Sequence, residues 1–284
     1  MNDSIQFTTE VSSDIPQELL AERGIGTVAL QVRLEDKEYK DGSLSNQEVY
    51  DIFREKKALP STSCVSVGDY QELFLPYLRA GRTVIHVAMS SGISSTCQNA
   101  RIAAEDLEDE GKVYVIDGKG LSQATSLLVY KGQDMAAEGR SAEEIAAALE
   151  ELVPKLNSSF IITNLDFLKH GGRCSTLAAL GANLLKLKPM INMDGGSMST
   201  DKKYRGKDED VYFQYLEERF PEGMEYDDEY VCVSHGLVDE DVLKKAVSVL
   251  KKKYKFKNVI VNDVGTVIFA HGGKGCFGVF FLSK

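Results

Sequence analysis

The chain has 284 residues and a mass of 31.3 kDa, enough for two domains or one large one with a full buried core. With 43% hydrophobic and 27% charged residues it has a globular composition, which excludes intrinsic disorder and collagen-like repeats. Its net charge of -10 argues against nucleic acid as a partner, because an acidic surface repels phosphate backbones.

No stretch approaches the ~18 apolar residues of a membrane span, so no stable membrane insertion is expected. The opening residues Met1-Asn2-Asp3-Ser4 show neither a basic region nor an apolar one, so no signal peptide is visible and a soluble cytoplasmic protein is expected. The five cysteines, Cys64, Cys97, Cys174, Cys232 and Cys276, are scattered and form no CxxC. They are read as reduced, partly buried thiols rather than a disulfide framework or a zinc site.

In chain order, Ile5 to Thr9 reads as a short strand. Ser13, Asp14 and Pro16 punctuate a helix through Arg23 that Gly24 stops. Thr27 to Val32 is β-rich. Ser45 with Glu48 forms a capping box that opens a helix to about Lys56. A further helix runs from about Asp69 to Gly81. The apolar run Thr83–Met89 is a strand, followed by the polar loop Ser90–Ser94 and a helix to about Leu107. Val113–Asp117 is a strand, and Ser122–Glu138 a helix ended by Gly139. Ser141 with Glu144 caps a helix to about Leu156, and Phe160–Thr163 is a strand.

The second half alternates less regularly. Ser175–Lys186 reads as a helix that stops before Pro189, Asp208–Arg219 as a helix, and Tyr230–Val233 as a strand. Asp239–Tyr254 is an amphipathic helix, Val259–Val264 a strand, and Gly275–Leu282 a buried final strand. Gly195-Gly196 and Pro221-Glu222-Gly223 are turns. Strands alternating with helices predict βαβ units and an α/β fold of two domains with mostly parallel sheets. The boundary is placed near residue 160, giving an N-terminal α/β domain over 1–160 and a C-terminal one over 161–284.

Four segments carry candidate chemistry. Ser61-Thr62-Ser63-Cys64 lies between two helical segments, where its hydroxyls can cap a helix. Ser90-Ser91-Gly92-Ile93-Ser94-Ser95-Thr96 follows a buried-type strand and opens a helix. Such a loop at the carboxyl end of a parallel strand either caps its helix or welcomes an anion. Leu165–Arg173 ends in Gly171-Gly172, which breaks the helical pattern and projects Arg173. After it, Ser175, Ala178, Ala179 and Ala182 put small residues on one helix face, while Leu177, Leu180, Leu184 and Leu185 supply bulk. That face admits a neighbouring helix or a hydrocarbon chain, and sequence alone favours the helix. Gly265–Gly275 contains His271 among glycines that let the backbone pass close to a ligand or another strand. The triplet Gly273, Gly275 and Gly278 matches GxGxxG, but too few residues follow for the helix a dinucleotide site needs.

Together these segments resemble the DegV family of bacterial fatty-acid-binding proteins. The resemblance runs from Phe7 to the C-terminus and rests on several ordered motifs. They are Thr62-Ser63, Ser90–Thr96, Leu168-Lys169-His170-Gly171-Gly172-Arg173, Leu187-Lys188-Pro189, and Gly265-Thr266-Val267-Ile268 with His271. It implies a fatty acid held between two α/β domains. The carboxylate site would be made by Thr62, Ser63, Ser91, Gly92, Ser94 and His271. No catalytic residue, cofactor or metal is implied. The bound palmitate-like long-chain acid would be presented to an ATP-binding fatty acid kinase subunit for acyl-phosphate formation. Arg173 and Arg205 would face that partner. Where the family shows TDS, this chain has Thr9-Glu10-Val11; Ser95 replaces a glycine, Cys97 an aromatic, and Lys274 a proline.

The residues leave a second reading open: a serine esterase or thioesterase using Ser94 with His271 as base. The loop lacks the GxSxG elbow, since Thr96 stands where the second glycine would be, and no acid is evident to orient His271. Autonomous ATP use has no P-loop to support it.

Overall fold

The computed structural model describes residues 4–174 and 187–284. The expected helix at Ser175–Lys186, with its small-residue face, lies outside the described residues.

The chain opens with β1 (Ile5–Glu10), a 3-10 turn and α1 (Gln17–Arg23), which Gly24 ends in a left-handed conformation. The β-rich stretch divides into β2 (Gly26–Val28) and β3 (Gln31–Leu34), with β4 (Lys37–Lys40) beyond. α2 (Asn46–Lys56) begins at the Ser45–Glu48 capping box, and β5 (Ser61–Ser63) follows it. Then come α3 (Val67–Arg79), β6 (Thr83–Ala88), α4 (Thr96–Asp106) and β7 (Val113–Asp117). α5 (Gln123–Ala137) precedes α6 (Ala142–Leu152), which starts at the Ser141–Glu144 capping box. β8 (Leu156–Ile161) leads to α7 (Leu165–Gly171), β9 (Lys188–Asp194) and β10 (Ser197–Tyr204). The chain ends with α8 (Asp208–Arg219), β11 (Tyr230–His235), α9 (Glu240–Lys252), β12 (Asn258–Asp263), α10 (Thr266–Gly272) and β13 (Phe277–Leu282).

Three sheets result: β2-β1-β6-β7, β10-β9-β8-β13-β11-β12, and β4-β3-β5. The first is parallel throughout, as the βαβ pattern predicts. The six-stranded sheet corrects the expectation of parallel strands in the second half, because only β11 and β12 pair parallel there. β13 runs antiparallel between β8 and β11. The Gly195-Gly196 turn joins β9 to β10 as an antiparallel hairpin, and both glycines have the positive φ a tight hairpin needs.

The fold is layered. Tyr70, Phe74 and Leu78 of α3, with Ala100 and Ala103 of α4, pack on one face of the parallel sheet. α5 lies on the other face and also touches β8, β11 and β13 of the six-stranded sheet. It is buried nearly all round, as a helix between two sheets must be. α8 and α9 cover the far face of the six-stranded sheet through Tyr212, Tyr215, Leu216, Val242 and Leu250.

Two segments differ from the sequence reading. Ser61–Ser63 is an edge strand, β5, paired with β3 through Val32 opposite Thr62, and not a helix cap. Gly265–Gly272 is not an irregular glycine loop, because Thr266–Gly272 forms α10. Its β-branched and glycine residues are poor helix formers. Remote groups hold its start: Asp14 Oδ1 accepts from the Gly265 N–H at 2.7 Å, and Asp41 Oδ1 from the Val267 N–H at 3.0 Å. The Thr266 hydroxyl donates to the Leu44 carbonyl at 2.8 Å.

Candidate functional site

A cavity of about 500 Å³ lies where the loop after β6, strand β5 and helix α10 face the six-stranded sheet. That size suits a small-molecule ligand. Its walls are mostly apolar, with Leu30, Met89, Leu121, Phe160, Met198, Val267, Ile268 and Phe280 among them. Thr62, Ser63, Ser91, Gly92, Ser94 and His271, the expected carboxylate site, all border it.

The serine loop leaves the carboxyl end of β6, where an open parallel sheet forms its crevice. Buried Glu10 anchors that strand end. It accepts from the Met89 N–H at 3.0 Å and the Tyr70 hydroxyl at 2.6 Å, and pairs with His86 Nε2 at 3.1 Å. Ser90 is fully buried and donates to the Gly196 carbonyl at 2.6 Å, pinning the loop to the β9–β10 hairpin. Gly92 packs so close to that carbonyl that a Cβ would collide with it. The Ser91 hydroxyl donates to Asp117, and Lys119 Nζ donates to Ser91 at 3.0 Å and pairs with Asp117 at 2.7 Å. Ser94 is half-buried; its hydroxyl meets that of Thr96 and accepts from the Thr96 N–H at 3.2 Å, so it also helps begin α4.

Thr62 and His271 join the site from opposite directions. The β3–β5 pairing turns Thr62 toward α10, and its hydroxyl lies 2.9 Å from His271 Nε2. His271 Nδ1 is shielded from solvent and has no hydrogen-bond partner among the described residues. Burial, reinforced by the nearby charges of Arg173 and His170, pushes the imidazole down to about 4, so it is neutral at pH 7. Gly171 makes room for it, since a Cβ there would overlap the ring. His271 thus bonds Thr62 rather than Ser94, and among the described residues no carboxylate orients its Nδ1.

Gly172 ends α7 in a left-handed conformation, as the Gly171-Gly172 pair predicts, and Arg173 follows. Arg173 borders the cavity, with Nη1 donating to the Gly171 carbonyl at 2.7 Å. That places a guanidinium beside the hydroxyls and His271, a geometry that serves a bound anion as well as a partner. Arg205 is exposed just beyond β10 and is not one of the cavity's residues. The arrangement supplies hydroxyl, imidazole and guanidinium groups in the lining of a mostly apolar chamber. Sequence reasoning missed the supports behind it. In the sequence Asp14 reads only as helix punctuation and Glu10 only as a departure from the family pattern, and Asp41 carries no local signal.

The model of a family described as an uncharacterised protein of the DegV family matches residues 4–284. The chain belongs to the DegV family. This DegV-family chain is 30% identical over 285 residues to a DegV domain-containing protein of Caldanaerobacter subterraneus, covering 99% of this chain and 100% of the relative. It is also similar to the solved fatty-acid-binding DegV protein of Thermus thermophilus, with a TM-score of 0.85, 27% identity, and 99% and 100% of the two chains covered. DegV of Bacillus subtilis, solved as a fatty acid binding protein, gives a TM-score of 0.85 at 26% identity and 99% coverage of both chains. The Streptococcus pneumoniae fatty acid kinase B3 protein, loaded with linoleic acid, shares the fold, with a TM-score of 0.81 at 17% identity over 99% of this chain and 100% of that one. Among the described residues no helix is long and apolar enough to cross a membrane.

Proposed function

We propose that this chain binds a long-chain, palmitate-like fatty acid in the cavity and presents its carboxylate to a separate ATP-dependent kinase subunit. The observation that carries the reading is the cavity itself: mostly apolar walls whose lining also includes Thr62, Ser94, His271 and Arg173. Each methylene buried from water contributes ~0.8 kcal/mol, so the tail supplies most of the affinity. Hydroxyl, imidazole and guanidinium donors then fix the head group and its orientation. The solved relatives that bind fatty acids support this ligand class. The kinase-subunit role takes its support from the shared fold of the fatty acid kinase B3 protein.

In this reading the chain performs no chemistry itself. A serine nucleophile needs a base within reach and a third group to orient that base. Here His271 is engaged by Thr62, and Ser94 by Thr96. The partner transfers the terminal phosphoryl group of ATP to a carboxylate oxygen, and this chain positions that oxygen. Arg205, exposed outside the cavity, is assigned to partner docking; Arg173, at its rim, is assigned to both tasks.

Native mass spectrometry and solvent extraction of the purified protein test the ligand class: about one long-chain acid per chain is expected. Recovery of only a nucleotide or sugar phosphate would overturn the reading. Adding an ATP-binding fatty acid kinase subunit should yield acyl phosphate only when both proteins are present. A chromogenic acyl ester should not be turned over, and robust turnover lost in Ser94→Ala would favour the esterase.

A further inference from the structure

We propose that the cavity holds a second polar subsite, formed by Ser122 and Ser234, that takes an alcohol carried midway along an acyl chain. The proposal rests on the fatty-acid reading above and deepens it. Ser122 begins α5 and Ser234 lies in β11. Both border the cavity, both are buried, and their hydroxyl oxygens are 2.8 Å apart.

This pair stands apart from the head-group cluster. α10 forms one wall of the cavity through Val267, Ile268 and His271. The serines connect through Asp14 to Gly265, at the helix's start, whereas Thr62 meets His271 near its end. Helical rise puts roughly 9 Å between those two ends. A chain whose carboxylate sits at His271 and which runs along this wall passes the serines partway down its length.

The backbone marks Ser122 as unusual. Its φ of 54° and ψ of -142° lie in a region that glycine occupies freely and other residues avoid. A serine held there carries strain, and what it adds over glycine is a hydroxyl. That hydroxyl donates to Asp14 Oδ2. With its hydrogen so committed, Ser234 donates to Ser122, and Gln123 Nε2 donates to the Ser234 oxygen at 3.2 Å. Among the described residues, each serine oxygen then keeps one lone pair without a protein donor.

Burial pushes the Asp14 carboxyl well above the usual carboxylate range. A proton on Asp14 reverses the chain: Asp14 donates to Ser122, Ser122 to Ser234, and the Ser234 hydrogen becomes free. An alcohol both donates and accepts, so it completes the chain in either direction. With Asp14 ionised, a plain methylene chain is tolerated as well, because both serine hydrogens are then bonded within the chain. A hydroxyl placed anywhere else along the apolar walls would be desolvated without a partner, which is unfavourable.

The test is a set of competitive displacement titrations with stearic acid and with stearic acids hydroxylated near the carboxyl end, at mid-chain and near the methyl end. Wild type, Ser122→Gly and Ser234→Ala are compared; the glycine variant relieves the backbone strain, so it keeps the fold. Wild type should bind the mid-chain alcohol at least as tightly as stearic acid, and the methyl-end alcohol more weakly. In either variant the mid-chain alcohol should lose about five- to ten-fold relative to stearic acid, the worth of one hydrogen bond. Equal weakening of all three alcohols in wild type, or an unchanged ratio in both variants, would overturn the subsite while stearic acid binding left the fatty-acid reading intact. Failure of every acid to bind would overturn that reading, and the subsite with it.

Discussion

Thr62→Val is the sharpest perturbation of the proposed head-group site. Valine keeps the shape of threonine and suits an edge strand, so β5 should persist. Two losses follow. In the delipidated protein, His271 Nε2 loses its partner at 2.9 Å, while Nδ1 has none among the described residues. A shielded imidazole with neither nitrogen paired costs ~1–3 kcal/mol. In the complex, one hydrogen bond to a charged carboxylate disappears, worth ~1.5–3 kcal/mol, or roughly ten- to hundred-fold in affinity. The assay is displacement of a fluorescent fatty acid from delipidated protein beside a urea melt. Affinity should fall by that factor, and the urea midpoint should drop with an unchanged slope. Thr62→Ser should restore most of the affinity. If Thr62→Val and Ser94→Ala both bind as wild type does, the head group sits elsewhere and the reasoning fails.

Three other outcomes are expected. Gly171→Ala should displace the His271 ring from Thr62 and lower fatty-acid affinity, whereas Gly172→Ala, whose Cβ meets nothing within 4 Å, should lower thermal stability through its positive φ and leave affinity unchanged. His271 sets a pH dependence: native protein keeps it neutral down to about 4, while the unfolded chain protonates it below about 6.5. The stability it protects is therefore full above pH 6.5 and lost as pH falls toward 4, by at most about 3 kcal/mol. Asp41, raised to about 6 by burial, works with the opposite sign, so the stability difference between wild type and His271→Gln across this window isolates the imidazole; a pH-independent difference would count against it. Arg205→Glu should lower acyl-phosphate formation by the kinase partner without changing fatty-acid affinity, and parallel loss of both would reassign it to the ligand.

Elements with local signals are legible in the chain alone. The Ser45–Glu48 and Ser141–Glu144 capping boxes set helix starts, Gly24 and Gly172 set helix ends, and the apolar run before Ser90 set a central strand. Motif order along the chain named the family and picked out Thr62, Ser94 and His271, which the fold gathers around one cavity. Tertiary structure alone decided the rest. α10 is a helix against its own propensities because Asp14 and Asp41, from distant segments, hold its first N–H groups. Ser61–Ser63 is a strand because β3 offers it an edge. The antiparallel course of β13 through the second sheet depends on pairings with strands far away in sequence, for which no local pattern exists. The same holds for the neutrality of His271. No residue beside it in sequence removes water from its ring; burial does, and burial belongs to the assembled cavity wall.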